Sequence, residues 1–454
     1  MSAPLAILPF KSPLSGILLL PGSKSITNRA LIIAALCDGT VTLKGALLSR
    51  DTLIMIEALR QLGFEIFANQ KDSVIKIKGQ AGTIPNKTAS INVGNAGTAA
   101  RFITAFLALQ KEGNYSLDGD PQMRDRPMKG LIDALSELGS ATFTFLEKPF
   151  HFPFQIQTHG LQSKYAQVDA SASSQILSAL LLTLPACKQP IKINCQNVRK
   201  AYVQVTEQIK SYFGILESAM TEEGSFKIHN NTYQTPKDSI FLVEPDLSAA
   251  SYFFALTVLH GGSLSIKNIP AKPIQGDAAF AELLISHALQ ITPQKGQWDV
   301  YRSVDNSIKK EVADFDFNLF SDTFLTYAAI ALLLNDETTI RGIKHTRLQE
   351  TDRVSAMATE LKKLGQTVIE SDDSLKILSN KNALIEKAKA ARAKEKTLEI
   401  ETYEDHRFAM SFAILGTYDL LGDGQAWLSI KDPECCGKTF PDFFHTLESF
   451  RHDC

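Results

Sequence analysis

Residues 51–79 read DTLIMIEALRQLGFEIFANQKDSVIKIKG, and this stretch holds the pattern that decides the fold. Its apolar residues recur at three- and four-residue intervals as far as Leu62, which indicates a helix with one buried face. Gly63 follows, and a glycine at that place supplies the left-handed conformation that ends a helix. The alternating residues of VIKIKG then predict a strand. The stretch therefore predicts one helix–strand unit of an α/β fold.

The same helix ending recurs along the chain. Helical patterns end at Gly63, Gly139, Gly214 and Gly365, which lie 76, 75 and 151 residues apart. The double interval predicts a further copy near residue 289, where AFAELLISHALQ keeps the pattern but has Ala288-Leu289 instead of Leu-Gly. The C-terminal FPDFFHTLESF fits a sixth copy. Chance recurrence would not keep so steady an interval, so we predict six similar α/β units.

Each copy carries a second helix that is apolar on most of its faces, which predicts burial in the middle of a domain. These helices read RALIIAALC, TAARFITAFLAL, SQILSALLLTL, SAASYFFALTVL, TFLTYAAIALLL and RFAMSFAILGTY. Polar residues gather at their N-terminal ends, where Ser, Thr, Asn and Asp serve as caps. Capping does not explain Lys24, Arg29, Arg101 or Arg407, because a charge that opens a buried helix is costly without a partner. Helix starts bind anions, so the pattern predicts anion-binding sites there.

The composition excludes several classes of protein. Lys and Arg total 47 against 49 Asp and Glu, which argues against a general nucleic-acid binder. No apolar run approaches the ~18–20 residues that span a bilayer, and the N-terminus has no basic stretch ahead of an apolar one. The six cysteines form no CxxC pair, and the nine histidines show no metal-binding spacing. We expect a reduced, cytoplasmic monomer that binds small molecules, without metal, nucleic acid or membrane.

A series of motifs in order resembles the 5-enolpyruvylshikimate-3-phosphate (EPSP) synthase family over almost the full length. The motifs are PGSKSITNRAL, NVGNAGTAARF, DRPM, SASSQILSALL, EPDLSAASYF, SDTF, LQETDR, YEDHR and GKTFPDFF. The resemblance implies a two-domain inside-out α/β barrel of six βαβαββ repeats, three per domain. Domain 1 would take residues 1–22 and 244–454, and domain 2 would take residues 23–243. The implied reaction joins phosphoenolpyruvate to shikimate-3-phosphate without any cofactor, in the shikimate pathway.

The resemblance also implies roles for residues at matching positions. Asp322 would be the base on the 5-hydroxyl, and Glu350 would serve the methylene carbon as acid and base, with Lys24 as a further catalytic group. Asp405 and His406 would be supporting polar groups. The expected phosphoenolpyruvate site is Lys24, Asn95, Gly97, Arg126, Gln175, Arg353, Arg407 and Lys438. The expected shikimate-3-phosphate site is Lys24, Ser25, Arg29, Ser173, Ser174, Gln175, Tyr202, Asp322, His345 and Gln349.

The chain departs from the family pattern at four positions. Gln349 replaces a lysine before the glutamate of ETDR, Arg199 replaces a common serine, Phe102 a frequent proline and His345 a frequent asparagine. Gln349 matters most because a charged group becomes neutral, so we expect an active enzyme with unusual kinetics. The small Gly97 leaves room for glyphosate, a phosphoenolpyruvate mimic, which predicts sensitivity to it.

Three other functions fit parts of the pattern. UDP-N-acetylglucosamine enolpyruvyl transferase shares the fold, but its reactive cysteine has no counterpart between Thr98 and Pro127. RNA 3′-terminal phosphate cyclase shares the βαβαββ unit, but would need a nucleotide-linked histidine and a basic surface. A catalytically silent paralogue that binds anions for regulation is favoured by Gln349 and Arg199, and opposed by the presence of Asp322 and Glu350.

Overall fold

A computed structural model describes residues 3–187, 189–196, 198, 200–216, 218–220, 224–304 and 312–451. The chain divides into two compact units. Unit 1 comprises Met1–Pro21 and Pro245–Cys454, and unit 2 comprises Gly22–Glu244. The chain therefore begins in unit 1, completes unit 2 and then returns. Arg199, one of the departures from the family pattern, lies outside the described residues.

The described strands form six separate sheets, five of four strands and one of three. In chain order they are β1 (Leu5–Ile7), β2 (Leu14–Leu18), β3 (Asp38–Lys44), β4 (Ile66–Asn69), β5 (Val74–Gln80), β6 (Thr88–Asn92), β7 (Gly113–Asp118), β8 (Ala141–Phe145), β9 (Phe154–Thr158), β10 (Tyr165–Asp169), β11 (Ile191–Gln196), β12 (Ala219–Met220), β13 (Ser225–Ile228), β14 (Ile240–Leu242), β15 (Gly262–Lys267), β16 (Gln290–Gln294), β17 (Gln297–Arg302), β18 (Val312–Asp316), β19 (Glu337–Arg341), β20 (Thr367–Glu370), β21 (Ser374–Leu378), β22 (Leu398–Ile400) and β23 (Leu428–Ile430).

The α-helices alternate with these strands. They are α1 (Lys24–Leu36), α2 (Arg50–Gln61), α3 (Gly97–Leu107), α4 (Pro121–Arg124), α5 (Lys129–Glu137), α6 (Ser174–Thr183), α7 (Lys200–Tyr212), α8 (Leu247–His260), α9 (Ala279–Leu283), α10 (Phe324–Leu334), α11 (Arg353–Lys363), α12 (Lys381–Arg392), α13 (His406–Gly416) and α14 (Phe443–Glu448). Short 3-10 turns precede or extend several of the α-helices. These turns include Gly276–Ala278, Ser321–Thr323, Lys344–Leu348 and Pro433–Lys438.

One sheet shows the topology that the others repeat. β6 pairs in parallel with β7, from Thr88 opposite Asn114 to Asn92 opposite Asp118, and α3 connects the two strands. β9 pairs antiparallel with both β7 and β8, which gives the order β6-β7-β9-β8. The same order recurs in β10-β11-β13-β12 and in β18-β19-β21-β20. These sheets with their helices are βαβαββ units, as the repeat predicts.

Where the chain crosses between units, a sheet takes its first strand from a distant segment. β14 joins the sheet β14-β3-β5-β4 of unit 2, and β2 joins the sheet β16-β17-β15-β2 of unit 1, where β15 is its partner among the described strands. Backbone hydrogen bonds fix both segments. Ser23 N donates to Glu244 O at 2.8 Å, and Asp246 N donates to Pro21 O at 2.8 Å. The sixth sheet is the three-stranded β1-β23-β22.

The six apolar helices are buried, as their sequences predict. In unit 2, α1, α3 and α6 pack on one another, and in unit 1, α8, α10 and α13 do the same. Every residue of α10, from Phe324 to Leu334, is buried. Because a buried helix brings its polar first turn with it, the N-terminal residues of these helices are placed at the end of each core. Several of the expected site residues of each unit lie at these helix starts, among them Lys24, Ser174 and Arg407.

The outer helices end where the repeat predicts, and the structure also contains a helix, α12, that the repeat does not predict. Gly63, Gly139, Gly214 and Gly365 all have positive φ, between 63° and 92°. Ala288 has φ of 63°, so it takes the left-handed conformation despite a cost of about 1–2 kcal/mol. The helix before it is short, because α9 gives way to a 3-10 turn at Leu284. The repeat did not predict α12, which Asn380 caps by accepting from Ala383 N at 3.0 Å.

Candidate active site

Arg353, the first residue of α11, lies at the centre of an acid–arginine cluster in unit 1. Its Nε donates to Asp405 Oδ2 at 2.7 Å, its Nη1 to Asp322 Oδ1 at 3.1 Å and its Nη2 to Glu350 Oε2 at 2.9 Å. Two further cations complete the cluster. Arg407 Nη2 donates to Asp322 Oδ2 at 2.7 Å, and Lys438 Nζ lies 3.0 Å from Glu350 Oε1. We define the acid–arginine cluster as Asp322, Glu350, Arg353, Asp405, Arg407 and Lys438.

The starts of the helices position these side chains. Asp352 caps α11 by accepting from Ser355 N at 3.0 Å, so Arg353 begins that helix. Asp405 caps α13 by accepting from Arg407 N at 3.0 Å. One carboxylate therefore binds both the backbone N–H of Arg407 and the guanidinium of Arg353. Asp322 lies on the 3-10 turn before α10. Three separate helix starts therefore converge on one group of charges.

Most of the cluster is buried, although the side chains of Asp322 and Glu350 are 21% and 11% exposed, and its three acids balance its three cations. Arg353 and Lys438 are each 2% exposed, and Asp405 is 0% exposed. Burial alone would lower the pKa of Arg353, but Asp405, Glu350 and Asp322 raise it above its usual value. Burial would likewise lower the pKa of Arg407, but nearby acidic groups, above all Asp322, raise it well above its usual value. Both arginines therefore stay charged, and a substrate anion can bind them by replacing a carboxylate.

The other expected residues of unit 1 lie beside this cluster. Gln349 Oε1 accepts from Arg353 Nη1, so the amide that replaces the family lysine contacts the central arginine. His345 Nε2 lies 2.8 Å from Ser321 Oγ, next to Asp322. His406 is 1% exposed, and its Nδ1 lies 3.5 Å from Asp405 Oδ1. Each of these groups contacts the cluster or the turn that carries Asp322.

In unit 2, Arg29 lies in a buried polar cage between α1, α6 and α7. Its Nε donates to Thr206 Oγ1 at 2.9 Å, its Nη2 to Ser178 Oγ at 3.1 Å, and its Nη1 to the Ser25 carbonyl at 3.0 Å. Phe102, which replaces the family proline, presents its ring 5.4 Å from the Arg29 guanidinium carbon. Burial lowers the pKa of Arg29 to about 10, and nearby Tyr202 opposes that shift.

A second group in unit 2 surrounds the GNAGT loop at the start of α3. Arg101 Nη1 donates to Gly97 O at 3.0 Å and to Gln175 Oε1 at 3.2 Å, and its Nη2 donates to Pro127 O at 3.0 Å. Arg126 Nη1 lies 3.5 Å from Asn95 Oδ1. A Cβ on Gly97 would lie 2.6 Å from Arg126 Nη2, so glycine is needed for this arginine to stay in place.

The remaining expected residues of unit 2 lie at helix starts. Lys24 Nζ donates to Asp51 Oδ2 at 3.3 Å, and Ser173 caps α6 by accepting from Gln175 N at 3.2 Å. Ser174 is the first residue of α6. Tyr202 lies in the first turn of α7, where its carbonyl accepts from Thr206 Oγ1 at 2.9 Å. The expected residues of unit 2 thus fall around the starts of α1, α3, α6 and α7.

The structure adds residues that the sequence reasoning did not assign to the site. Asp51 pairs with Lys24, and Arg101 links Gly97 to Gln175. Asp277, on the turn before α9, lies near Asp322 and Arg407. The motif signal for Arg101 was its charge in a buried helix, whereas Asp277 carried no comparable signal. Within the described ranges no group of three or more His, Cys, Asp and Glu could hold a metal, and no helix is long and apolar enough to cross a membrane.

Comparisons with known proteins identify the family of the chain. Residues 10–447 match the sequence model of EPSP synthase (3-phosphoshikimate 1-carboxyvinyltransferase). A 3-phosphoshikimate 1-carboxyvinyltransferase from Opitutus terrae is 44% identical over 451 residues, covering 98% of this chain and 97% of the relative. One from Photobacterium damsela subsp. piscicida is 37% identical, covering 94% of this chain and 95% of the relative. A solved EPSP synthase from Acinetobacter baumannii shares the fold with a TM-score of 0.76 at 22% identity, over 99% of this chain and 98% of that one. The chain belongs to the EPSP synthase (3-phosphoshikimate 1-carboxyvinyltransferase) family.

Proposed function

We propose that this protein transfers the enolpyruvyl group of phosphoenolpyruvate to the 5-hydroxyl of shikimate-3-phosphate and releases phosphate. The observation that carries the proposal is the acid–arginine cluster, in which Asp322 and Glu350 each contact two cations. Such a cluster supplies both an acid–base pair and anion-binding groups without a metal. We propose that the enzyme acts in the cytoplasm as a monomer.

The reaction assigns one step to each carboxylate. Asp322 takes the proton of the 5-hydroxyl as its oxygen forms a bond to the enol carbon of phosphoenolpyruvate. Glu350 gives a proton to the adjacent methylene, which becomes a methyl group in a tetrahedral intermediate. Glu350 then takes a proton back from that methyl group, the bond between carbon and the phosphate oxygen breaks, and Asp322 gives the proton that it took to the leaving phosphate. Both carboxylates return to their starting state.

The cations bind the two anions. Arg353, Arg407 and Lys438 bind phosphoenolpyruvate once it replaces Asp322 and Glu350 as their partner, since arginine forks and lysine bind phosphate and carboxylate strongly. In unit 2 we assign phosphoenolpyruvate contacts to Lys24, Asn95, Gly97, Arg126 and Gln175, and shikimate-3-phosphate contacts to the group around Arg29. Unit 1 thus carries the acid and base, and unit 2 carries most groups for shikimate-3-phosphate.

The test is phosphate release by the purified protein with both substrates. Glu350→Gln keeps the size and loses the proton-transferring carboxylate, so kcat should fall about 10²–10⁴-fold. Glu386→Gln, on the outer helix α12, is the matched control and should keep the wild-type rate. No phosphate release at millimolar substrate, or equal rates for wild type and Glu350→Gln, would overturn the proposal.

One observation favours a second function, a silent paralogue that binds anions. Gln349 puts a neutral amide against Arg353, where the family pattern has a lysine. In that case shikimate-3-phosphate would raise the melting temperature, but no product would form. Product formation by the wild-type protein would rule out this alternative. The KM for shikimate-3-phosphate of Gln349→Lys, compared with that of wild type, would then show how glutamine at this position affects substrate binding.

A further inference from the structure

The turn that leads into α13 has a backbone conformation that its residues disfavour. Tyr403 and Glu404 have φ of 55° and 56°, and Asp405 N donates to Thr402 O at 2.8 Å across the turn. Positive φ at both central residues is a feature of type I′ turns, in which glycine, asparagine and aspartate dominate. Because left-handed φ is costly for other L-residues, contacts from outside the turn are needed to hold it.

The carboxylate of Glu360, about two turns after Arg353 on α11, supplies such contacts. The Tyr403 hydroxyl donates to Glu360 Oε1 at 2.5 Å, and Glu401 N donates to Glu360 Oε2 at 3.3 Å. The Glu360 side chain is 0% exposed, and Lys363 Nζ donates to its Oε1 at 2.7 Å. A buried carboxylate is tolerated only where it is paired and hydrogen-bonded, so Glu360 and the segment before α13 depend on each other.

The helix α11 thus binds this segment at two places. At the start of the helix, Arg353 Nε donates to Asp405 Oδ2 at 2.7 Å, and two turns later Glu360 accepts from Tyr403. Seven residues of α-helix span about 10 Å, so the segment is held at two well-separated points. Asp405 in turn caps α13 by accepting from Arg407 N at 3.0 Å. A movement of the turn would therefore displace Asp405 from Arg353 and disturb the start of α13.

We infer that Glu360 and Tyr403 are positioning residues for the acid–arginine cluster. Their hydrogen bond holds the turn at residues 402–405 in its left-handed conformation, and the turn fixes Asp405 against Arg353. Without that bond the turn relaxes toward negative φ, Asp405 moves, and the guanidinium of Arg353 loses the partner that orients it. Arg353 then presents a poorly aligned fork to an incoming anion. The identity of that anion, phosphoenolpyruvate, rests on the proposed function.

The first test needs no turnover, so it separates this inference from the proposed function. Protein labelled with ¹⁵N-arginine gives an NMR resonance for each Nε–H group, and the resonance that is missing in Arg353→Lys identifies Arg353. Tyr403→Phe removes the hydroxyl and keeps the ring, whose centroid lies 5.4 Å from that of Phe408. We expect the Arg353 resonance to move in Tyr403→Phe. It should return toward its wild-type position in the double variant Tyr403→Phe/Glu404→Gly, because glycine adopts left-handed φ readily.

Tyr418→Phe is the matched control, because it also removes a partly buried tyrosine hydroxyl of unit 1, one that accepts from Lys381 Nζ at 3.0 Å. It should leave the Arg353 resonance unchanged. Glu360→Met is a second variant, which loses both acceptor oxygens at similar side-chain length and should move the resonance as Tyr403→Phe does. A resonance that neither variant moves, or a movement that glycine at position 404 does not reverse, overturns the inference.

The second test is kinetic. In Tyr403→Phe, KM for phosphoenolpyruvate should rise about tenfold while kcat stays within about threefold of wild type. The acid and base are less affected because Asp322 and Glu350 each keep a second cation, Arg407 and Lys438 respectively. The double variant should recover most of the wild-type KM. A wild-type KM in the single variant, or a loss confined to kcat, overturns the inference. An inactive protein whose guanidinium resonance behaves as expected would count only against the proposed function.

Discussion

Replacement of Asp405 by asparagine removes one buried negative charge while keeping the shape of the side chain. Asp405 is 0% exposed and accepts from Arg353 Nε at 2.7 Å and from Arg353 Nη2 at 3.3 Å. Asparagine caps a helix as well as aspartate does, so the bond from Arg407 N should persist. Hydrogen bonds to charged groups contribute about 1.5–3 kcal/mol and neutral ones about 0.5–1.5. With one bond lost and the other made neutral, we expect the free energy of unfolding to fall by about 2.5–4.5 kcal/mol.

Thermal unfolding measures this loss. For a domain of the size of unit 1, each kcal/mol lowers the melting temperature by about 2–4 °C, so the shift should be about 5–18 °C. Asp405→Ala also loses the second bond and the cap, so it should cost about 1–3 kcal/mol more than Asp405→Asn. Asp423→Asn, which breaks an exposed pair with Arg392, is the control and should cost under about 1 kcal/mol. Equal shifts for Asp405→Asn and Asp423→Asn would refute the reasoning.

Three more predictions follow from single contacts. Gly97→Ala pushes its Cβ against Arg126, so KM for phosphoenolpyruvate should rise about tenfold and glyphosate should inhibit less, both measured by phosphate release. Thr206→Val removes the hydroxyl that accepts from Arg29 and should raise KM for shikimate-3-phosphate, whereas an unchanged KM would exclude Arg29 from that site. Burial lowers the pKa of His260 to about 4, so its stabilising effect is complete above about pH 6.5 and is lost as pH falls toward 4. His260→Gln should recover about 3 kcal/mol of that acid loss, seen as a smaller drop in melting temperature from pH 7 to pH 4.5.

The repeat was predictable because each copy depends on local chemistry. Gly63 ends a helix through its own backbone freedom, and the spacing of such residues predicted the position of Ala288, which takes the same conformation without glycine. The helix α12 escaped prediction because a comparison of copies finds only what the copies share. Its many lysines and its Asn380 cap are ordinary signals of an exposed helix.

Residues of the candidate site could be predicted where a charged side chain begins an apolar helix or lies in a family motif. Arg407 opens a buried helix, so its cost in isolation was visible in the sequence, whereas Arg353 was assigned from the ETDR motif of the family. Asp277 was not visible, because an aspartate in a turn is common, and the burial and the nearby Asp322 that raise its pKa arise only in the folded chain. Groups whose properties depend on distant neighbours cannot be read from one segment of chain.

The order of the strands has a consequence for synthesis on the ribosome. Among the described strands β2 is an edge strand whose partner is β15, and about 250 residues separate the two, including the whole of unit 2. At about 5–20 residues per second, β2 waits roughly 12–50 s for its partner. During that time unit 2 can complete its own sheets, while β2 is an unpaired strand close to the nascent N-terminus. A β15 from a neighbouring polysome chain can pair with it, so strand-exchanged dimers are the expected misassembly product when translation is slowed between Glu244 and Lys267.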